Sequence, residues 1–595
     1  MADDSGDSTV LRATEPGAIP EFRLGLAMAG AISAGAYTAG VSDFLFQALS
    51  AWEAGGMKGL AAAVDDPDVV AERDGYSPLP AHRVTIAALS GASAGGITSA
   101  ILAAVTGGSI EPVTTVPPPG GTSNPFYTSW VDRIDMEYFL QVEDLERSGG
   151  KLASMLDSTQ LDAITSEALK IAGPHPHRPF IADPLRVFLT VANLRGVPYR
   201  IGQQGGAHGM MSHADYMEFA VTEDPALCPP SAICLDPNDY SHPDWQLLGQ
   251  SALASGAFPI GLAPRRLRRR AGDYRAREWP IPSEGGYDYR PIPPAWTFEE
   301  DYVYEFMTVD GGLMNNEPLE LARRALGRPG EKRNPREPLR ADRAVLMVDP
   351  FPSEPFDPDA VTEDALTGVV KAMFGALKSQ ARFKPDELAL AQDSNVYSRF
   401  MIAPTRTRPG ADAPESYGIA SGTLGGFGGF LARSFREHDY NLGRRNCQRF
   451  LMRHFLLSEN NALFDGWPPA MKKALGRRHP DPENAAPGLH LPIVPLVGEA
   501  LRETPWMEWP KMTEADLRVL RGRVGTRSGA VLRALLRPHM WRVFADGASL
   551  ALKGWVTGKA MEAIHEDLWK RGQIDVPPPV PKKDEGPAED YNKGD

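Results

Sequence analysis

The run Gly91-Ala92-Ser93-Ala94-Gly95 constrains this chain most, because a β-type apolar segment precedes it and a helix-type segment follows it. Residues 84–89 are β-branched and aliphatic, whereas residues 97–105 are mostly Ala, Ile and Leu. A chain that passes from a buried strand into a buried helix must turn sharply, and Gly91 and Gly95 leave room for that turn. The pattern predicts a strained Ser93 with its hydroxyl presented beside the free N–H groups of a helix N-terminus.

A second segment of this kind lies near the N-terminus. Residues 24–29 are apolar, and a loop of small residues from Gly30 to Ile32 leads into a helix-like stretch. The spacing of Gly30 and Gly35 matches a P-loop, but Ala36 and Tyr37 stand where that motif needs lysine and a hydroxyl residue. The dinucleotide-binding pattern fails as well, because Ile32 occupies the position of its second glycine. The backbone N–H groups of this loop are therefore expected to face an oxyanion rather than a nucleotide.

A third segment places an aspartate at the end of an apolar stretch. Residues 304–309 lead to Asp310, and Gly311 and Gly312 allow the backbone to pass close to its carboxylate. An aspartate in this position could act as the base for Ser93. Taken alone, the Asp-Gly pair favours a plain turn, and the five residues around Ser93 fit a glycine-rich turn equally well. The chemical interpretation depends on finding the three segments together.

Together and in this order, the three segments resemble the patatin-like phospholipase family, which has a glycine-rich loop, a Gly-x-Ser-x-Gly elbow and an Asp-Gly-Gly or Asp-Gly-Ala motif. Residues 251–260 are similar to the family's Ala/Ser-rich helix and Phe-Pro turn, and residues 435–447 resemble a long bacterial patatin-related subgroup. The resemblance implies a three-layer α/β/α core. Independently, alternating strand and helix patterns predict an α/β fold with a mainly parallel sheet covered on both faces.

The resemblance also implies a serine carboxylic-ester hydrolase acting on lipids, of the phospholipase A or lysophospholipase type. Ser93 would attack the ester while Asp310 takes its proton, and an acyl-enzyme would follow. The oxyanion would be held by N–H groups of Gly30, Ala31, Ile32 and Ala94. No cofactor or metal is expected.

One part of the glycine-rich loop departs from the family pattern. The family usually reads Gly-Gly-Gly-x-Arg-Gly, whereas residues 30–35 of this chain carry Ala31 and Ile32 and have no arginine. A positive φ at Ala31 or Ile32 would cost roughly 1 kcal/mol or more. The oxyanion hole is therefore the part of the site for which the sequence gives the weakest support.

Two other functions are compatible with the same residues. A Ser-Asp-His hydrolase would recruit His438 or His454, which follow Asp310 in the chain. A lipid-binding or scaffold protein would keep the fold without the chemistry, and the changed residues of the glycine-rich loop favour that alternative.

Composition limits the partners of the protein. A net charge of −14 argues against a nucleic-acid partner. The five arginines between Arg265 and Arg270 could meet a phospholipid headgroup or a membrane surface, or form a solvated hairpin balanced by nearby acids. His175 and His177 are expected in a surface loop rather than a metal site. An acidic N-terminus and the absence of a bilayer-length apolar run predict a cytoplasmic protein with at most peripheral membrane contact.

The three cysteines, Cys228, Cys234 and Cys447, are expected by default as free thiols, whereas in an oxidising compartment Cys228 and Cys234 could pair.

The chain divides into four parts by composition. Residues 1–20 and 576–595 are predicted to be disordered. Residues 21–360 are predicted to form the catalytic domain, with an insertion at about 110–182, and residues 361–575 a mostly helical C-terminal region. Within that region, residues 425–431 (GGFGGFL) are interpreted as a turn with phenylalanines in the core or as a mobile apolar flap.

Overall fold

The computed structural model describes residues 19–108, 110–170, 178–284, 286–352, 396–478, 488–536 and 545–579, with a few isolated positions between 353 and 395. Most of the N-terminal segment predicted to be disordered, the tail after residue 579, and the loop that contains His175 and His177 lie outside the described residues.

Two of the strands lie where the sequence analysis expects buried β-structure. The run at 84–89 lies in one strand, and the stretch before Asp310 forms another that ends at this aspartate. The strands are β1 (Glu21–Met28), β2 (Arg83–Gly91), β3 (Ile181–Gln203), β4 (Gly206–Val221), β5 (Ile233–Leu235), β6 (Arg265–Arg270), β7 (Glu278–Ser283), β8 (Gly286–Pro291), β9 (Val303–Asp310), β10 (Arg343–Val348), β11 (Arg399–Ile402), β12 (Leu456–Ser458) and β13 (His490–Pro492).

Nine of these strands build one sheet. Its main path is β11-β10-β1-β2-β3-β4-β5, and β9 joins β3 to β6. The centre of the sheet is parallel, since β1 pairs in parallel with β2 and β10, and β2 with β3. The strands β4 and β9 pair antiparallel with β3. The expectation of an α/β fold with a mainly parallel sheet is therefore confirmed.

Helices occupy most of the segments between the strands. The helices are α1 (Gly35–Ala62), α2 (Pro67–Ala71), α3 (Ala94–Val105), α4 (Pro125–Tyr127), α5 (Met136–Phe139), α6 (Glu143–Arg147), α7 (Thr159–Ala168), α8 (Pro243–Ser255), α9 (Ala271–Arg275), α10 (Leu319–Ala325), α11 (Gly428–Leu431), α12 (Arg433–Arg453), α13 (Pro469–Leu475), α14 (Glu514–Leu536) and α15 (Ala545–Lys570). The predicted insertion around residues 110–182 thus contains short helices.

The central strands are buried on both faces, which explains their nearly continuous apolar sequences. On one face, Ala27 and Val345 pack against Ala322 and Leu326 at the α10 layer. Alternate residues of β1, such as Leu26, point into the larger core that includes α1, α3, α8 and α12. The apolar faces of both helical layers are therefore used to cover the sheet.

The C-terminal region belongs to the same core. Strand β11 pairs with β10, and α12 packs along α1. These two helices approach closely because a Cβ at Gly40 would lie 2.0 Å from the Tyr440 carbonyl oxygen, and one at Gly443 would lie 2.1 Å from the Tyr37 carbonyl oxygen. Packing is therefore continuous across the domain boundary predicted near residue 360.

Two of the three cysteines are joined. Cys228 and Cys234 form a disulfide, so the prediction of free thiols was wrong for this pair, whereas Cys447 is free and buried. The short loop between them brings their Cα atoms within 5.9 Å, a separation that a disulfide spans.

Among the helices of the described residues, none has both the length and the apolar composition that crossing a bilayer requires.

His82 is enclosed in the core beside Trp52, Phe464 and Trp467. Its Nδ1 accepts a hydrogen bond from the Trp467 indole at 3.1 Å, so Nε2 carries the proton and donates to the Ile493 carbonyl at 2.8 Å. Burial lowers the pKa of His82 from 6.5 to about 4. The folded protein therefore holds this imidazole neutral.

We expect His82 to make the protein less stable in acid. Between pH 6.5 and about 4, His82 binds a proton in the unfolded chain but not in the folded protein. The free energy of unfolding therefore decreases by up to about 3 kcal/mol as the pH is lowered through this interval. A His82→Gln variant should lose this contribution, so its melting midpoint should fall less steeply with acidification than that of the wild type. The exposed His208→Gln variant serves as control. Parallel curves for wild type and His82→Gln would contradict the assignment.

Candidate active site

Ser93 occupies a strained turn between β2 and α3. Its φ of 51° and ψ of −122° lie in a region that residues other than glycine rarely adopt. A Cβ at Gly91 would lie 2.4 Å from the Gly95 carbonyl oxygen, and one at Gly95 would lie 2.1 Å from the Met28 carbonyl oxygen. Both flanking positions therefore require glycine, and the strain falls on the single serine between them, an arrangement typical of functional sites.

The side chains of Ser93 and Asp310 meet directly. The Ser93 hydroxyl donates a hydrogen bond of 2.8 Å to Asp310 Oδ2, and Asp310 Oδ1 accepts one of 2.7 Å from the Gly312 N–H. Both side chains are buried, at 6% and 5% exposure. Gly311 is also required, since a Cβ there would lie 2.1 Å from the Thr190 carbonyl oxygen. The structure therefore brings together the two residues that the sequence analysis paired as nucleophile and base.

The end of α8 supports both halves of this pair. Ser255 Oγ accepts a hydrogen bond of 2.9 Å from the Ser93 N–H, and the Ala257 carbonyl accepts one of 2.9 Å from the Asp310 N–H. Sequence analysis placed these residues in an Ala/Ser-rich helix but gave Ser255 no role. Its only sequence signal was its place in that helix.

The glycine-rich loop lies against Ser93. A Cβ at Gly30 would lie 3.2 Å from Ser93 Cβ and 2.3 Å from Asn316 Oδ1, so this position requires glycine. The Gly30 N–H donates to the Asn316 carbonyl at 3.1 Å, which leaves the N–H groups of Ala31, Ile32 and Ala94 as candidate oxyanion donors.

Ile32 carries the backbone strain that the sequence analysis anticipated for this loop. Its φ is 52°, an outlier for a β-branched residue, whereas Ala31 has a φ of −143°. Such a conformation costs about 1–3 kcal/mol and persists only where surrounding contacts hold it.

An apolar cavity of about 40 Å³ opens beside Ser93. A second cavity of about 20 Å³ shares several of its lining residues, including Ile97, Ile134, Leu161 and Leu253. Both are lined mainly by aliphatic and aromatic side chains, which suit a hydrocarbon chain rather than a polar ligand.

The glycine-rich segment 425–431 roofs the first cavity. Phe427 and Phe430 line this cavity. The ring of Phe427 meets that of Phe258 edge-on with 5.7 Å between the ring centroids, and the centroids of Phe430 and Phe139 are 5.0 Å apart. The phenylalanines are thus packed, as the turn interpretation expects, and they line the same cavity as Ser93.

A buried charge cluster lies next to Asn316. Arg382 binds Glu317 Oε1 and Asp349 Oδ2, each at 2.7 Å. Burial, followed by the charge of Asp349, raises the pKa of Glu317 from 4.5 to about 7, because one arginine compensates two carboxylates only in part. No sequence pattern indicated this cluster.

Glu317 should make the protein more stable in acid. Its folded pKa is raised, so its stabilising contribution is full below pH 4.5 and is lost as pH rises to about 7, by up to about 3 kcal/mol. We expect the melting midpoint of Glu317→Gln to rise relative to wild type over this interval. The exposed Glu299→Gln variant is the control. If the difference between Glu317→Gln and wild type is the same at every pH, the pKa of Glu317 is not raised.

The histidines of the triad alternative make other contacts. His438 Nδ1 lies 2.8 Å from Asp439 Oδ1 and its ring meets Trp509, while His454 stacks on Phe450. The Ser93 hydroxyl donates to Asp310 without an intervening imidazole.

The arginine run forms β6, which pairs with β9 rather than standing free. Arg269 is buried, donates to the Tyr216 carbonyl at 2.8 Å and pairs with Asp273. Arg265 and Arg266 pair with Asp162 and Glu305, respectively, and Arg270 pairs with Asp273. This arrangement agrees with the alternative of arginines balanced by nearby acids. Arg266, Arg268 and Arg270 are the exposed members of the run.

No group of three or more histidine, cysteine or carboxylate side chains is arranged to hold a metal ion within the part of the chain that the structure describes.

No family model matches the chain. The uncharacterized protein y4iI of Sinorhizobium fredii (strain NBRC 101917 / NGR234) is 38% identical over 562 residues, covering 87% of this chain and 77% of that protein. The chain belongs to the same family as y4iI. Because the match covers most of this chain, the family relationship includes the C-terminal region as well as the segments around Ser93 and Asp310.

Proposed function

We propose that this protein is a lipid acyl-ester hydrolase of the patatin-like phospholipase type, with a Ser93–Asp310 dyad in a three-layer α/β/α core. The observation that carries the proposal is the 2.8 Å hydrogen bond from the Ser93 hydroxyl to Asp310, made at a strained elbow that opens helix α3. A serine held directly on a carboxylate beside a helix N-terminus has the elements needed for acyl transfer.

In the proposed reaction, Ser93 Oγ bonds to the ester carbonyl carbon while its proton passes to Asp310. The oxyanion accepts hydrogen bonds from the N–H groups of Ala94, Ala31 and Ile32. Collapse breaks the ester bond, and the leaving alcohol takes the proton from Asp310. Water then attacks the acyl-enzyme with Asp310 again as base, which restores Ser93 and releases the fatty acid.

An aspartate with an ordinary pKa of about 3.9 is a weak base, so its surroundings must favour proton transfer. Asp310 is almost fully buried, and the partial positive charge at the start of α3 lowers the cost of ionising Ser93. As Asp310 takes the proton, the negative charge passes from its carboxylate to the substrate oxygen. The N–H groups that stabilise this oxyanion are already in place.

The apolar cavities support an acyl chain as the part of the substrate that the protein recognises. Ester hydrolysis needs no cofactor, and the substrate would be met at a lipid surface by a cytoplasmic protein in peripheral contact with it. The mostly helical C-terminal region supports assignment to the long bacterial patatin-related subgroup.

A second candidate is a lipid-binding or scaffold protein with the same fold. The engaged Gly30 N–H and the small volume of the cavity beside Ser93 favour it, because both reduce the capacity of the site for an ester. The two candidates differ in turnover, which a single set of variants measures.

We expect Ser93→Ala and Asp310→Asn each to lower kcat for a soluble ester by at least about a thousandfold, with the double variant hardly worse than either. Residues that act as a unit are non-additive in this way. Ser99→Ala is the matched control, because Ser99 lies in α3 but its hydroxyl bonds the Gly95 carbonyl. Near-normal turnover of either single variant would remove that residue from the mechanism, and no turnover by the wild type would favour the scaffold.

The cavities generate a separate prediction about chain length. Leu253 lines both cavities, so Leu253→Trp should reduce the volume available in each of them. We expect hydrolysis of a palmitate ester to fall at least about tenfold relative to an acetate ester, because only the long chain needs that space. Leu253→Met, which nearly conserves volume, is the control. Equal losses on both esters would show that the acyl chain lies elsewhere.

A further inference from the structure

The strained backbone of Ile32 needs contacts that hold it, and the next residue makes them. Ser33 is fully buried. Its N–H donates a hydrogen bond of 3.1 Å to the Gly426 carbonyl, its hydroxyl donates to the same carbonyl, and its Oγ accepts one of 2.9 Å from the Gly429 N–H. The glycine-rich loop is thus tied to the roof segment 425–431 by the residue adjacent to the strained one.

In the roof segment, the two residues that bond Ser33 are glycines, Gly426 and Gly429. Gly426 has a φ of 111°, and a Cβ there would lie 3.4 Å from Ile32 Cδ1. A Cβ at Gly429 would lie 2.7 Å from Ser33 Oγ. A side chain at Gly429 would therefore displace Ser33, and a side chain at Gly426 would be strained because of the positive φ.

The roof segment is itself fixed at its N-terminal end by the C-terminal helices. The Leu424 N–H donates to Asp567 Oδ2 at 2.6 Å, and the Gln573 side chain donates to the Ala420 carbonyl at 2.8 Å. Contacts thus run without interruption from α15 through the roof to Ser33 and the candidate oxyanion donors.

We propose that Ser33 is a positioning residue that, with Gly426 and Gly429, holds the Ala31 and Ile32 N–H groups where the oxyanion forms. The inference depends on the proposed hydrolase function and assigns the C-terminal roof a part in catalysis. Loss of Ser33 Oγ removes two hydrogen bonds from the loop and lets Ile32 relax to negative φ, which turns its N–H away. The effect falls on the transition state rather than on substrate binding.

The test compares Ser33→Ala with a matched deletion. Ser421, four residues before Gly425, is also a fully buried serine, but its Oγ has no hydrogen-bond partner among the described residues, so Ser421→Ala removes the same atom without the contact. We expect Ser33→Ala to lower kcat for a soluble ester about 10- to 100-fold with KM little changed, and Ser421→Ala to lower it less than about twofold. Thermal melting curves of both variants test whether they fold.

A second comparison separates positioning from general packing. In an Ile32→Gly background, glycine adopts positive φ without strain, so removing Ser33 Oγ should lower kcat much less than in the wild-type background. Ser33→Thr, which keeps the hydroxyl, should retain more activity than Ser33→Ala.

The outcomes distinguish this inference from the proposed function. Wild-type turnover with equal kcat for Ser33→Ala and Ser421→Ala would overturn the positioning role and leave the hydrolase intact, as would equal losses in the two Ile32 backgrounds. If Ser33→Ala fails to fold, Ser33→Thr and Gly429→Ala decide, since the latter should lower kcat with KM unchanged. Absence of wild-type turnover with every ester tested would overturn the function itself and this role with it.

Discussion

The hydrogen bond between Ser93 Oγ and Asp310 Oδ2 is the constraint on which the rest of the site depends. It joins the end of β2 to the end of β9, two strands separated in the sheet by β3. A hydrogen bond of 2.8 Å between these side chains requires a positive φ at Ser93 and glycines that let neighbouring backbone segments come into contact. It also requires that the backbone N–H groups of Ser93 and Asp310 be held in place. The turn after α8 meets this last requirement through Ser255 and Ala257.

The C-terminal region supplies contacts that the site needs, although it contributes neither residue of the pair. It adds an edge strand to the sheet, packs α12 on α1, and provides two phenylalanines that line the cavity beside Ser93. The second strained residue, Ile32, contacts this region through Ser33. Contacts with Asp310 and with the end of α8 hold the strained Ser93, whereas residues about four hundred positions away in the chain hold the strained glycine-rich loop.

Patterns that are local in sequence predicted the strand and helix around Ser93, the strand ending at Asp310 and the glycines beside them, because apolar runs and tight turns are fixed by neighbouring residues. Ser255, Glu317 and the Ser33 contacts were not predictable in this way, since each acts through residues distant in the chain. The disulfide was mispredicted because cysteine count and compartment say nothing about how closely a short loop brings Cys228 and Cys234.

In the proposed mechanism, Ser93 is a nucleophile activated by Asp310. The most direct test of this mechanism is the site of covalent modification by a fluorophosphonate, mapped by mass spectrometry of peptides from the wild type and from Asp310→Asn. We expect a single adduct on Ser93 in the wild type, formed at least about a hundredfold more slowly when Asp310 is replaced. An unmodified Ser93, or an equal rate of labelling in both proteins, would contradict it.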